Sequence, residues 1–139
     1  MSLAVIENRT TLKDAAGRQI IVPEQSSGPR ITCTLTDELG QPIPLAFIGT
    51  ATLTIYAKDE LSQPIINGVD HVDIKNTGRG TIHATSGLVT ILLVPLDNSI
   101  QNQVNDLEIH RLLIEVGYNT TQKCKYEIDI PVRNLYRVT

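Results

Sequence analysis

The residues with most chemical reach stand at Asp70-His71-Val72-Asp73, a histidine and two carboxylates within four positions. On a strand, His71 and Asp73 would share one face. A zinc site needs three or four convergent ligands, and this spacing supplies two, so the cluster reads as a solvated edge and no metal is assigned. Asp37 with Glu38, and Asp59 with Glu60, are paired carboxylates on predicted turns. Glycoside hydrolysis needs two carboxylates held across a cleft with one desolvated, which neighbouring turn residues do not provide. His83 and His110 fall within predicted strands and read as half-buried packing residues, pH-sensitive in principle. No serine sits in a GxSxG elbow and no glycine-rich loop is spaced to cradle phosphate. The residues therefore predict no catalytic residue, no cofactor and no metal, and hence a protein that is not an enzyme.

The two cysteines, Cys33 and Cys124, both fall on inward phases of predicted strands. They read as buried free thiols acting as small apolar side chains. A disulfide between sheets is the alternative, and isolated cysteines with no CxxC or CxxH partner give the weakest case for metal.

Around these residues the chain alternates. In Thr50 to Lys58, Ala51, Leu53, Ile55 and Ala57 point one way and the threonines with Tyr56 the other. A period of two with β-branched residues on the wet side specifies a strand with one dry face. Ile31, Cys33 and Leu35 repeat the pattern before the turn Asp37-Glu38-Leu39-Gly40. Short strands are predicted at Pro64 to Ile66, Val69 to Ile74, Thr81 to Ala84 and Gly87 to Val94, with Asn67-Gly68 as a tight turn. Leu107 to Tyr118 reads as a long strand with Leu112, Ile114, Val116 and His110 inward. Lys123 to Ile130 returns with Cys124, Tyr126, Ile128 and Ile130 inward, and Pro131 is expected to end it. Leu135 to Val138 suggests a last short strand. The single candidate helix is Leu96 to Asp106, one or two turns capped by Asp97, with Ile100 and Val104 a turn apart. About eight short strands with turn signals between them specify an all-β, antiparallel sandwich in preference to a barrel. The core is expected from Leu35, Leu53, Ile55, Leu112, Ile114, Val116 and Ile128.

Residues 1–29 read differently from the 30–139 sandwich. Leu3, Val5 and Ile6, then Ile20, Ile21 and Val22, are apolar, and Pro23 to Pro29 reads as a linker. This segment is either an extra hairpin on its own domain or an extended arm whose six apolar residues contact a neighbouring subunit.

Composition narrows the class. The chain has 139 residues, net charge −3, 41% hydrophobic and 4% aromatic residues and no tryptophan. No basic run or stacking platform is present, which argues against nucleic-acid partners and sugar grooves. The longest apolar run, Leu88 to Leu96, is far short of the ~20 residues of a membrane helix. The first residues lack the basic start and apolar core of a signal peptide, so assembly in a host cytoplasm is expected.

The stretch ITCTLTDELGQPIPLAFIGTATLTIYAKD, and further on GLVTILLVPLDNSIQNQVNDLEIHRLLIEVGY, resemble the small immunoglobulin-like modules of tailed-phage virions, such as the N-terminal module of phage baseplate upper proteins. The likeness in layout runs from Ile31 to about Pro131, roughly two thirds of the chain, lacks an Asp-Gly turn, and does not extend to the N-terminal arm. It implies an immunoglobulin-like sandwich with no catalytic residues. It also implies a virion structural protein, in head decoration, neck, tail or baseplate, that forms homo-oligomers and contacts other virion proteins. A bacterial surface adhesin is the alternative and would need an export signal. A carbohydrate-binding sandwich is a further alternative, which the shortage of aromatic residues disfavours.

Overall fold

The structure is a computed structural model that describes residues 5–11, 16–26, 31–37, 39–118 and 122–135. Nine strands and two short 3₁₀ turns are present among them, in the order β1 (Val5–Thr11), β2 (Val22–Pro23), β3 (Ile31–Thr34), β4 (Ile48–Ala57), β5 (Val72–Asp73), β6 (Gly80–Ile82), β7 (Leu88–Ile91), β8 (Leu107–Tyr118) and β9 (Gln122–Arg133). The turns are Leu45–Phe47 and Pro95–Asn98. The protein is an all-β sandwich. One sheet runs β1-β9-β8-β4-β5, with β2 also on β9, and the other runs β3-β7-β6.

The alternating stretches form the centre. β4, β8 and β9 align so that Ala51, Val116 and Cys124 share a rung, as do Leu53, Ile114 and Tyr126, then Ile55, Leu112 and Ile128, then Ala57, His110 and Ile130. All twelve side chains are buried. The small sheet lays Ile31, Ile82, Val89 and Ile91 over them, and Leu35, Ile66, Val69 and Ile74 close the gaps. Each fully buried Leu or Ile in such a layer contributes roughly 1.5–3 kcal/mol.

Four local expectations are corrected. Val69 to Ile74 is not one strand, because His71 sits at φ 54° and interrupts the extended run, leaving only Val72–Asp73 paired with β4. Pro64 to Ile66 keeps a single bridge, Ile65 to Tyr56. Leu96 to Asp106 is not a helix: it holds the Pro95–Asn98 3₁₀ turn and a separate turn closed by Asn105 N–H on the Asn102 carbonyl. The amide N–H groups of Gln101 and Asn102, which a helix would spend on its own carbonyls, donate instead to the Glu108 carboxylate at 2.8 and 2.9 Å.

Pro131 does not end β9; it pairs with Ile109 inside the strand. The Arg133 carbonyl accepts from Glu24 N–H on the β2 side, so alternation turns the ring nitrogen of Pro131 to that side too. There it falls between the end of β1, opposite Asp129, and the start of β2, opposite Val132. A residue without an N–H fits that gap and costs no ladder bond.

The N-terminal segment is extended and lies along its own domain. β1 pairs in parallel with β9 from Val5 opposite Lys123 to Thr11 opposite Asp129, and β2 continues on the same strand. Val22 is buried in the core, Ile20 packs against it half-buried, and Ile21 is exposed. Leu3, Glu38, the linker residues 27–30, the turn 119–121 and the tail 136–139 lie outside the described residues. Leu35, Leu53, Ile55, Leu112, Ile114, Val116 and Ile128 are each at most 4% exposed.

Candidate functional site

The densest polar cluster lies at the end of the sandwich where β4 stops and β8 begins. Glu108 and His110 are two residues apart on β8, so both side chains enter the interior. Glu108 is 3% exposed and His110 0%. His110 Nε2 lies 2.5 Å from Glu108 Oε1. The same carboxylate accepts the Gln101 and Asn102 N–H groups on its two oxygens. Across the cluster, Glu60 accepts from the side-chain amides of Asn102 and Asn105, which ties the turn after β4 to the loop before β8. Burial pushes the Glu108 carboxyl upward, but the bonds from His110, Gln101 and Asn102 outweigh it and hold the carboxyl below its ordinary value. His110 Nδ1 is buried with no hydrogen-bond partner in the structure.

This arrangement is a structural latch. A base or nucleophile must reach a substrate, and here both groups are enclosed, with the Glu108 carboxylate engaged by two backbone amides and His110. Sequence alone placed His110 inward. It missed Glu108, because an acidic residue in an apolar alternation reads as a misfit until a loop of N–H donors folds over it.

Two charged groupings and one neutral one also brace the fold. Arg79 Nη2 lies 2.8 Å from both oxygens of Asp97, whose carboxylate also accepts from Val94 N–H and Asn67 Nδ2. Asp97 thus caps the 3₁₀ turn from inside it and pins the turn to the β5–β6 connection. On the outer face of the large sheet, Arg111 meets Asp129 through Nε at 2.8 Å and Nη2 at 3.1 Å and reaches Glu127 at 3.4 Å. The Asp129 bonds are the main cause holding the guanidinium proton more tightly than usual. Beneath the small sheet, Tyr126 Oη accepts from Thr36 N–H at 2.8 Å, and Cys124 Sγ donates to the Thr36 carbonyl. Burial raises the Tyr126 hydroxyl.

The residues that opened the sequence reading separate. His71 leaves the strand face of Asp73 and lies 2.6 Å from Asp70 and 3.2 Å from Glu115, exposed to solvent. Asp73 accepts from Lys75 N–H. Among the described residues no grouping of histidine, cysteine and carboxylates is placed to hold a metal. Asp37 closes its turn through Leu39 and Gln41 N–H, and Asp59 pairs with Lys58. His83 Nδ1 accepts from Thr85 and Ser86 N–H, a turn cap. Both cysteines are free thiols, with Cys124 buried and Cys33 half-buried, its pKa pushed up to about 11 by burial. Comparison with family models, with curated proteins and with solved structures finds no match for the chain.

Proposed function

We propose that the chain is a non-enzymatic structural protein of a bacteriophage particle, a rigid sandwich that works as an oligomeric interaction module among other virion proteins. The observation that carries the interaction role is β1. It is an edge strand among the described residues: its seven residue pairs are all with β9, and no other described strand flanks it in the sheet. The same register is available to a β1 from a second copy, so exchange of terminal strands would link subunits without new contacts having to evolve. Apolar side chains exposed at both ends of β4 support a contact role as well. Leu61 is 93% and Val104 68% exposed beyond its C-terminal end, and Leu39 is 80% and Phe47 59% exposed near its N-terminal end. The virion assignment rests on the resemblance of residues 31–59 and 87–118 to phage modules.

The test is removal of residues 1–15, which deletes β1 and spares β2. The full chain is expected to sediment as an oligomer and the truncated chain as a folded monomer. An oligomer that survives the truncation would refute the role of β1. The particle assignment is checked by the genes flanking this one, where capsid, portal or tail genes are expected.

A further inference from the structure

β1 is the longest edge strand among the described residues. The opposite edge of the large sheet is β5, 2 residues long, and the small sheet ends in β3 and β6, of 4 and 3 residues. β1 runs for 7 residues and pairs with β9 along one side without a break in register. An edge strand turns half of its N–H and C=O groups away from its neighbour, and soluble proteins blunt such a row with short length, proline, lysine or a bulge. The segment VIENRTT contains no proline and no lysine, and its pairing shows no bulge. Its edge is built to be joined.

Register sets out the charges at this edge. Paired positions share a sheet face, so Glu115, Lys125 and Glu7 stand in one row across β8, β9 and β1, and Glu127 and Arg9 stand in the next across β9 and β1. The signs alternate in both rows. The first row ends at the edge on a negative position and the second on a positive one, two residues along. A second β1 laid antiparallel about a two-fold axis at Asn8 joins the two ends. Position 7 then stands opposite 9 and 9 opposite 7, with 5 opposite 11 and 6 opposite 10. The joined row reads Glu115, Lys125 and Glu7, then Arg9 and Glu127 of the second copy, with the sign changing at every step. Opposite charges directly across strands favour a pairing and like charges oppose it. With both outer faces kept on one side, the neighbouring registers centre on position 7 or 9, and there Glu7 or Arg9 opposes itself. We infer that the outer edge of β1 pairs with the β1 of a second copy of this chain, antiparallel about Asn8, so that two large sheets run on as one. The pairing rests on the reading of β1 as the assembly strand, but it keeps each β1 on its own β9, where strand exchange would not.

The test is complementation between two full-length variants, Glu7→Arg and Arg9→Glu, followed by sedimentation velocity at low ionic strength. Alone, each variant sets like charges opposite one another twice across the axis, and its self-association should weaken at least tenfold. Mixed in equal amounts, the variants restore opposite charges at both places, and a dimer of one copy of each should return to within about threefold of the native affinity. Both variants must weaken the dimer, because a pairing centred on position 7 or 9 responds to only one of them. Strand exchange gives no complementation, because each variant β1 meets the same β9 in either copy. A native chain that stays monomeric, a single variant that associates as the native chain does, or a mixture no more associated than its components would each overturn the pairing. If it falls while removal of residues 1–15 still dissolves the native oligomer, β1 remains the assembly strand and acts by exchange.

Discussion

Glu108→Gln is the sharpest perturbation of the latch. The substitution keeps size and one carbonyl oxygen but removes the charge and turns one acceptor into a donor. In the native protein that carboxylate takes N–H groups from Gln101 at 2.8 Å and Asn102 at 2.9 Å and meets His110 at 2.5 Å. An amide nitrogen facing either N–H leaves two buried donors opposed, which costs about 1–3 kcal/mol, and the lost charge-assisted bond adds about 1.5–3 kcal/mol. Allowing for partial relaxation, the loss is about 3 kcal/mol, which for a chain of this size lowers Tm by on the order of 10 °C. Glu60→Gln is the control. Its carboxylate accepts only from side-chain amides at a partly exposed site, and it should cost under about 1 kcal/mol.

Urea unfolding of both variants and the native chain across pH checks the magnitude and the cause. The folded pKa of Glu108 is lowered. Its contribution is therefore fully present above the ordinary carboxylate value of ~4.3 and is lost as pH falls through the lower folded value. The gap between native and Glu108→Gln stability should be constant near neutrality and close in acid. A gap below about 0.5 kcal/mol at pH 7, against the ~3 kcal/mol expected from these hydrogen bonds, or one that widens in acid, would refute the reasoning.

Other outcomes follow from the same geometry. Asp97→Ala breaks the bond to Arg79 and frees Val94 N–H; urea unfolding should show a loss of about 3 kcal/mol, the low end for a buried pair because the Arg79 side chain is 21% exposed. Gly87→Ala puts a side chain at φ +70° with its Cβ 2.7 Å from the Leu35 carbonyl, and a thermal melt should show a loss of about 1–3 kcal/mol. Denatured protein should react with two equivalents of a thiol reagent without prior reductant, whereas in the native protein Cys124 should be protected and Cys33 slow, its thiol pushed up to about 11.

The core was legible because its signal is local. An alternation such as Ala51, Leu53, Ile55, Ala57 states which face is dry without reference to any partner, and β8 carries the bounds expected of it. The latch was not legible, because its meaning is distributed. Glu108 becomes tolerable only when Gln101 and Asn102 fold back over it, and the same event cancels the helix that Ile100 and Val104 suggested.

Pro131 carries one more consequence. With no N–H at the junction, the ladder of β1 on β9 cannot run on into that of β2, so the two additions to this edge are energetically separate. β1 contributes an edge ladder. The β2 region contributes Val22 at 1% exposure, the bond from Glu24 N–H to the Arg133 carbonyl, the bond from Leu135 N–H to the Glu24 carboxylate, and the bond from Gln25 N–H to the Asn98 carbonyl. Removing residues 1–15 should therefore leave urea stability within about 1–2 kcal/mol of the full chain, an edge strand's worth of modest net hydrogen bonds. Removing residues 1–25 opens the core at Val22 and orphans Leu135 N–H and two carbonyls, and should cost about 4 kcal/mol or more. Equal losses for the two truncations would mean that the edge of β9 behaves as one cooperative ladder and that the break at Pro131 does not divide it.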